Sequence, residues 1–362
     1  VHRSLPRVFP RGDFGVRGGE SGPAVCYTIQ GTHAEFQRDD TMITTVVGDY
    51  PKTPNLPRPA KLRRAIMRHQ KGEISSKDFA QVEDEVTLEV IQEQTDAGLD
   101  LITDGHIRRE DPQTYFAARL GGFEIDGLIR YFDTNTYYRQ PVAKGPVSWK
   151  MPISTRDWEF AKKNSPKPVK AVVIGPYTLA KQSKNEEYRD LDSFVMSCAE
   201  ALSMECQALA AAGCRHIQLD EPAILRNKQD FRIFFKAVDM TFWGINHVKK
   251  AVYTYFGDVS DIYPEILNLP VDIIGLDFVQ GGKNCEVVRT APFHKELGFG
   301  IVDARNTKLE KPDDLRKAVD KILKVVPADR LHVNPSCGLE FLPRERAQEK
   351  LANMVKAANM FA

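Results

Sequence analysis

The feature that most constrains this chain is a rhythm. From Met42 onward, eight short β-branched runs alternate with longer stretches whose apolar residues recur at helical spacing. The strand-like runs fall at 43–47, 101–103, 171–174, 216–219, 251–255, 273–276, 300–302 and 331–333. Between them, residues 78–97 put Val82, Val86 and Val90 on one face. Residues 191–212 do so with Phe194, Cys198, Ala201, Leu202 and Leu209, and residues 312–325 with Leu315, Val319, Ile322 and Leu323. Pro312 sits where a first-turn proline is tolerated. Eight strands separated mostly by helices predict an α/β fold of the (β/α)8 TIM-barrel kind. A doubly wound nucleotide-binding sheet is disfavoured, because no GxGxxG follows the first strand.

Residues 120–150 break the rhythm. They are aromatic and strand-like, and they predict a β-rich insertion over the barrel mouth. Residues 1–41 stand apart too: they are rich in Arg, Gly and Pro, with neither a helical nor a strand period. They read as a disordered extension, or as an upstream start ahead of Met42, and contain no apolar run of signal-peptide type. The barrel domain is therefore expected over 42–362.

Charge and composition remove other classes of function. With 50 Lys+Arg against 49 Asp+Glu, the chain lacks the positive field that nucleic-acid binding needs. No stretch approaches the roughly 20 apolar residues of a membrane span. Six dispersed cysteines are not a disulfide framework, so a reducing cytoplasm is the expected compartment.

Barrel chemistry sits at the carboxyl ends of strands. Those positions hold Asp49, Asp104 with His106, Asp220 with Glu221, Tyr253 with Tyr255 and Asp258, Asp277, Asp303 and Cys337. Any one of these acids has an ordinary use as a cap for the next helix. Six strands ending alike argue for a shared purpose. A lone cysteine is more often a small buried hydrophobe than a nucleophile, but Cys337 stands at a strand mouth between turn formers. His106 reads equally as base, metal ligand or surface side chain. His216, which opens a strand at the opposite end, reads as structural.

Several of these strand ends carry a family resemblance. TTVVGDYPKT, LDLITDGHIRREDPQTYF, VVIGPYTLA, HIQLDEPAI, VDIIGLDF and LHVNPSCGLEFLPRERAQEKLANMVKAA follow one another in the order and spacing of the cobalamin-independent methionine synthase family. The chain resembles that family's catalytic, carboxy-terminal barrel, in the short single-barrel form.

The resemblance implies a methyltransferase that transfers a methyl group to the thiol of homocysteine to form methionine. It implies a zinc ion on that thiol, held by a His-x-Cys pair, a Glu and a Cys. Cys337 matches the last ligand and Asp277 takes the Glu position, but Tyr253 and Tyr255 stand where His and Cys are usual. Phenol is a poor zinc donor beside imidazole or thiolate. Two outcomes are open: a site rebuilt with Asp258 or His106, or a reaction without zinc.

Asp49 and His106 replace the family's Ser and Glu, whereas Asp220 and Glu221 are kept and are expected to hold the amino group. His106 is the expected general base. Arg139 matches a folate-contacting Arg, but Gln182 replaces the Trp that packs on the pterin. The implied donor is therefore a methyl-corrinoid, with a corrinoid protein as partner. Two other readings stand beside this one. The first is a related barrel enzyme with another substrate, either a thiol alkyltransferase or a uroporphyrinogen decarboxylase; for the latter, Arg108 and Arg109 form only a thin cationic cluster. The second is a non-catalytic barrel that binds a corrinoid protein.

Overall fold

The computed structural model describes residues 41–54 and 60–361, so the expectation of a disordered extension falls outside the described residues except at Thr41. The strands are β1 (Ile43–Thr44), β2 (Gly121–Arg130), β3 (Tyr137–Ser148), β4 (Ala171–Ile174), β5 (Lys184–Asn185), β6 (His216–Asp220), β7 (Lys249–Tyr253), β8 (Ile273–Asp277), β9 (Glu296–Val302) and β10 (Leu331–Pro335). Seven of them form one parallel sheet in the order β1-β10-β9-β8-β7-β6-β4. Its strands are short and almost wholly buried, as expected for a parallel sheet covered on both faces.

The expected strand at 101–103 appears as two isolated parallel bridges, Thr45 with Leu101 and Ile102 with Val169. Leu101 N–H donates to Thr44 O at 3.1 Å, and Lys170 N–H donates to Ile102 O at 3.0 Å. Residues 101–102 therefore touch both edges of the seven-stranded sheet. The architecture is thus α/β with a parallel sheet. The expected strand at 251–255 begins and ends two residues earlier, which leaves Tyr255 beyond the strand.

The helices follow from the same sequence logic. They are α1 (Lys61–Gln70), α2 (Ser76–Asp96), α3 (Pro112–Ala117), α4 (Thr155–Asn164), α5 (Pro176–Lys181), α6 (Leu191–Ala211), α7 (Phe231–Phe242), α8 (Asn284–Val287), α9 (Pro312–Ile322) and α10 (Arg344–Asn359). A capping box opens α2: Asp78 N–H donates to Ser75 Oγ, and the Asp78 carboxylate accepts from Ser75 N–H. The helix then buries Val86, Val90 and Ile91. Its Gln94 amide pairs with both backbone groups of Thr103, at 2.9 and 3.1 Å. That suture fixes the turn carrying His106. No helix among the described residues is long and apolar enough to cross a membrane.

The β-rich insertion is an antiparallel β2–β3 hairpin with β5 on its outer edge. A buried carboxylate on α6 anchors the chain leaving the hairpin. Glu205 accepts from Ile153 N–H, Ser154 N–H, Ser154 Oγ and Trp149 Nε1 at 2.8–3.0 Å. Glu205→Ala would leave these donors buried without a partner. A loss of about 3 kcal/mol of stability is expected from unmet groups of this kind. A urea titration of the variant checks it, and an unchanged midpoint would contradict the assigned role.

Candidate active site

Acids and bases converge where the parallel strands end. The turn after residues 101–102 is built for one side chain. Thr103 Oγ1 donates to Gly48 O and accepts from Gly105 N–H. Gly105 and His106 both take positive φ, 67° and 55°. A Cβ on Gly105 would stand 2.5 Å from Val90 Cγ1, so this position excludes any larger residue. His106 is not glycine, and its left-handed backbone is held by the surrounding fold. The imidazole lies across Gly48, where an added Cβ would meet its Cε1 at 2.6 Å.

His106 is only 1% exposed, yet neither ring nitrogen has a hydrogen-bond partner among the described residues. Nδ1 lies 3.2 Å from Asp49 Oδ2, close enough for an ion pair but not aligned as a hydrogen bond. Nε2 lies 3.9 Å from Asp104 Oδ1. Burial pushes the Asp49 carboxyl upward, but His106, Lys52 and Arg109 together outweigh it and hold Asp49 below the usual range. Glu340 moves the other way: burial and then the Asp49 charge keep it well above the carboxylate range. Its Oε2 is buried without a partner among the described residues.

Asp220 closes β6 and is enclosed. It accepts from Gln218 Nε2 at 2.6 Å and from the Tyr255 hydroxyl at 3.3 Å. Burial is the main influence on it and pushes it up to about 6. Gln218 in turn accepts from Lys170 Nζ at 2.7 Å, and burial brings that ammonium down to about 7. Tyr255 is also hydrogen-bonded to Tyr131 of the insertion. A cavity of about 260 Å³ lies here, lined by Asp49, Lys52, Tyr131, Tyr138, Tyr255 and Glu340 among others.

Not every expected residue joins this group. Glu221 faces the other side of the strand and caps α5, accepting from Tyr177 N–H, Thr178 N–H and Thr178 Oγ1 at 2.6–2.9 Å. Its oxygens are therefore engaged, and the expected amino-group contact needs a carboxylate that the fold already uses. Arg139 pairs with Glu110 on the exposed rim, at 3.0 and 2.5 Å.

The implied zinc ligands do not form a metal site either. Asp277 accepts three backbone N–H groups, from Phe256, Val279 and Gln280. Cys337 is buried, and desolvation raises its thiol well above the ordinary range, which disfavours a thiolate. The Tyr253 ring lies over two glycines of neighbouring strands. A Cβ on Gly275 would meet it at 2.2 Å, and one on Gly298 at 2.7 Å. Tyr253 is thus fitted into the core, packed 4.9 Å beneath the Lys170 ammonium, and is not among the residues lining the cavity beside Asp49. Among the described residues no group of three or more His, Cys, Asp or Glu could hold a metal ion. The donor set does not fit zinc.

The strand-end reading of the sequence passed over Lys52, Arg109, Tyr131, Lys170 and Glu340. Glu340 had a usable signal, since it follows Cys337 and Gly338 at the same strand mouth. Lys170 comes just before a strand rather than at its carboxyl end, and nothing local marks Tyr131.

Residues 42–360 match the family described as the catalytic domain of cobalamin-independent synthase. The methionine synthase of Saccharolobus solfataricus is 34% identical over 319 residues, 88% of this chain and 94% of that protein. That of Sulfurisphaera tokodaii is 35% identical, over 88% and 91%. A B12-independent methionine synthase from Shewanella sp. W3-18-1, solved with selenomethionine, superposes with TM-score 0.78 at 21% identity, covering 88% of this chain and 97% of its own. A methyltransferase from Methanosarcina mazei gives 0.62 at 13%, covering 90% and 95%, and these two structures speak for the fold alone. On the family match and the extent of the sequence identity, this chain belongs to the cobalamin-independent methionine synthase family, whose catalytic domain it carries.

Proposed function

We propose that this chain is an S-methyltransferase that methylates the thiol of homocysteine to form methionine. The observation that carries the reading is the buried Asp220 carboxyl, within electrostatic reach of both His106 and Asp49 and bonded to Tyr255, which with Asp49 lines the adjoining cavity. In this reading Asp220 holds the substrate's α-ammonium by a charge-assisted hydrogen bond, and Tyr255 and Gln218 orient it. His106 takes the thiol proton, with Asp49 stabilising the imidazolium that results. The B12-independent methionine synthase solved with selenomethionine supports an amino-acid site in a fold of this kind. Cys337 and Asp277 are left with structural work.

The same proposal covers the architecture. Residues 101–102 act as the eighth strand and close the parallel sheet as a (β/α)8 barrel, with 42–362 as the domain and 1–41 as an extension. Deleting 1–41 is then expected to leave the melting temperature unchanged. The proposed compartment is the cytoplasm.

The direct test is methionine formation from homocysteine, followed with methylcobalamin and with methyltetrahydrofolate as donors. The first donor represents the corrinoid, or corrinoid-protein partner, that the resemblance implies. A second reading, a different thiol substrate, is favoured by one observation: Asp49 and His106 alter the polar groups around Asp220. Turnover of another thiol in preference to homocysteine would select it. Zinc is expected in far less than stoichiometric amount after chelator-free purification, and chelation is expected to leave the melting temperature unchanged. Full zinc occupancy would overturn the assignment of Asp277 and Tyr253 to the core.

A further inference from the structure

The opposite end of the parallel sheet, where its strands begin, gathers basic side chains instead of acids. Lys170 immediately precedes β4, His216 opens β6, Lys249 opens β7 and His332 is the second residue of β10. His216 and Lys249 are paired across β6 and β7, which sets these two side by side. A cavity of about 10 Å³ lies among all four, walled further by Gln218 and Tyr253. Among the described residues no Asp or Glu lines it. Glu296 stands nearby, but both its oxygens are taken, Oε2 by His332 at 2.8 Å and Oε1 by Lys249. Lys170 is 4% exposed and forms no ion pair among the described residues. Its three N–H donors meet one acceptor there, Gln218 Oε1 at 2.7 Å, and it packs over the Tyr253 ring. An ammonium taken out of water needs a counter-charge or a full set of acceptors. Burial brings Lys170 down to about 7. Burial, and then His332, Lys170 and Lys249, take the His216 imidazole down to about 4.

We propose that this cavity binds a small monovalent inorganic anion of the chloride kind, held by the Lys170 ammonium with His216, Lys249 and His332 around it. Size selects the class. A space of about 10 Å³ is about what one water-sized occupant needs, which leaves out phosphate esters and carboxylic acids. Charge selects it too, because a water molecule fits the space but does not offset a buried ammonium. Lys249 is half exposed and marks the way in from solvent. The site stands apart from the cavity at the strand ends and does not depend on the chemistry proposed there. Its one link to that chemistry is Gln218, which accepts from Lys170 and donates to Asp220 at 2.6 Å. An anion beside Lys170 keeps the ammonium protonated and so holds this amide in place.

The test uses the full chain, with chloride and bromide as probes and gluconate as an anion too large to enter. Ionic strength is held constant at about 0.15 M. Replacing sodium gluconate by sodium chloride should raise the melting temperature by about 2–4 °C, as a ligand well above its dissociation constant does. Bromide should do the same, and crystals grown with it should show its anomalous signal in contact with Lys170 Nζ. Lys170→Met should abolish both the chloride increment and the bromide signal. Lys249→Gln changes a half-exposed side chain and should weaken chloride binding about tenfold. If Lys170→Met fails to fold, Lys249→Gln and the gluconate control decide the matter. Equal melting in gluconate and chloride, or a chloride increment that survives intact in the folded variants, overturns the proposal. Bromide seen here in crystals while melting ignores chloride would mean an adventitious ion only, and overturns it as well.

Discussion

His106→Asn is expected to slow thiol methylation by about 10²–10⁴-fold near pH 7, the range that a positioned general base contributes. Asparagine is the informative replacement because residue 106 has φ of 55°, and Asn is among the few residues that accept the left-handed region. Folding should therefore survive, with only the volume of the ring lost above Gly48. The histidine has no hydrogen-bonding duty to lose, since neither nitrogen has a partner among the described residues. What it loses is the ability to receive the thiol proton beside Asp49. The variant's rate should climb with pH as solvent generates thiolate, approaching the wild-type rate only toward the pKa of the free thiol, about 8.5 for cysteine. A rate unchanged at pH 7 would remove His106 from the chemistry and leave it as a buried structural residue. A large rate loss that ignores pH would point to misplacement of the substrate instead.

Much of this site was legible because strand ends are local. Asp49, His106 and Asp220 each lie within three residues of the end of a strand-like run, and the strand-end rule picks them out without knowledge of any partner. Glu221 differs from Asp220 for a reason the sequence does not show: its carboxylate is taken up by Tyr177 N–H, Thr178 N–H and Thr178 Oγ1 at the start of α5. Asp277 looked like a ligand because capping acids and catalytic acids occupy the same positions. Only its three backbone donors separate the two roles. The fit of Tyr253 over Gly275 and Gly298 was out of reach, because it depends on the lateral register of three strands. Tyr131 was hidden for the same reason, since a hairpin places it 124 positions from its partner Tyr255. The strand expected at 101–103 from its apolar run is reduced to two isolated bridges, because only Leu101 and Ile102 pair with neighbouring chain.

Asp220→Asn should separate function from stability most cleanly, because the two are expected to move in opposite directions. Burial is the dominant influence on this carboxyl and pushes it up to about 6 from its ordinary 3.8. Between those values the folded state holds a proton that the unfolded state has released. Stability therefore falls as pH rises from about 4 to about 6, and above 6 the whole penalty is present, on the order of 3 kcal/mol. An amide carries no such penalty, and it can still accept from Gln218 and donate to the Tyr255 oxygen. The variant should melt at or above the wild-type temperature at pH 7.5, and the two proteins should converge near pH 4. Homocysteine turnover should fall by about 10²-fold, chiefly through KM, since a hydrogen bond to a charged group contributes about 1.5–3 kcal/mol. Wild-type kcat/KM should drop below pH 6 as Asp220 takes up its proton, and that acid limb should be missing from the variant. A stable variant with wild-type KM would move the amino-group contact away from Asp220. A variant that melts far below wild type would mean that the Gln218–Asp220–Tyr255 chain is part of the core, with the substrate held elsewhere in the cavity.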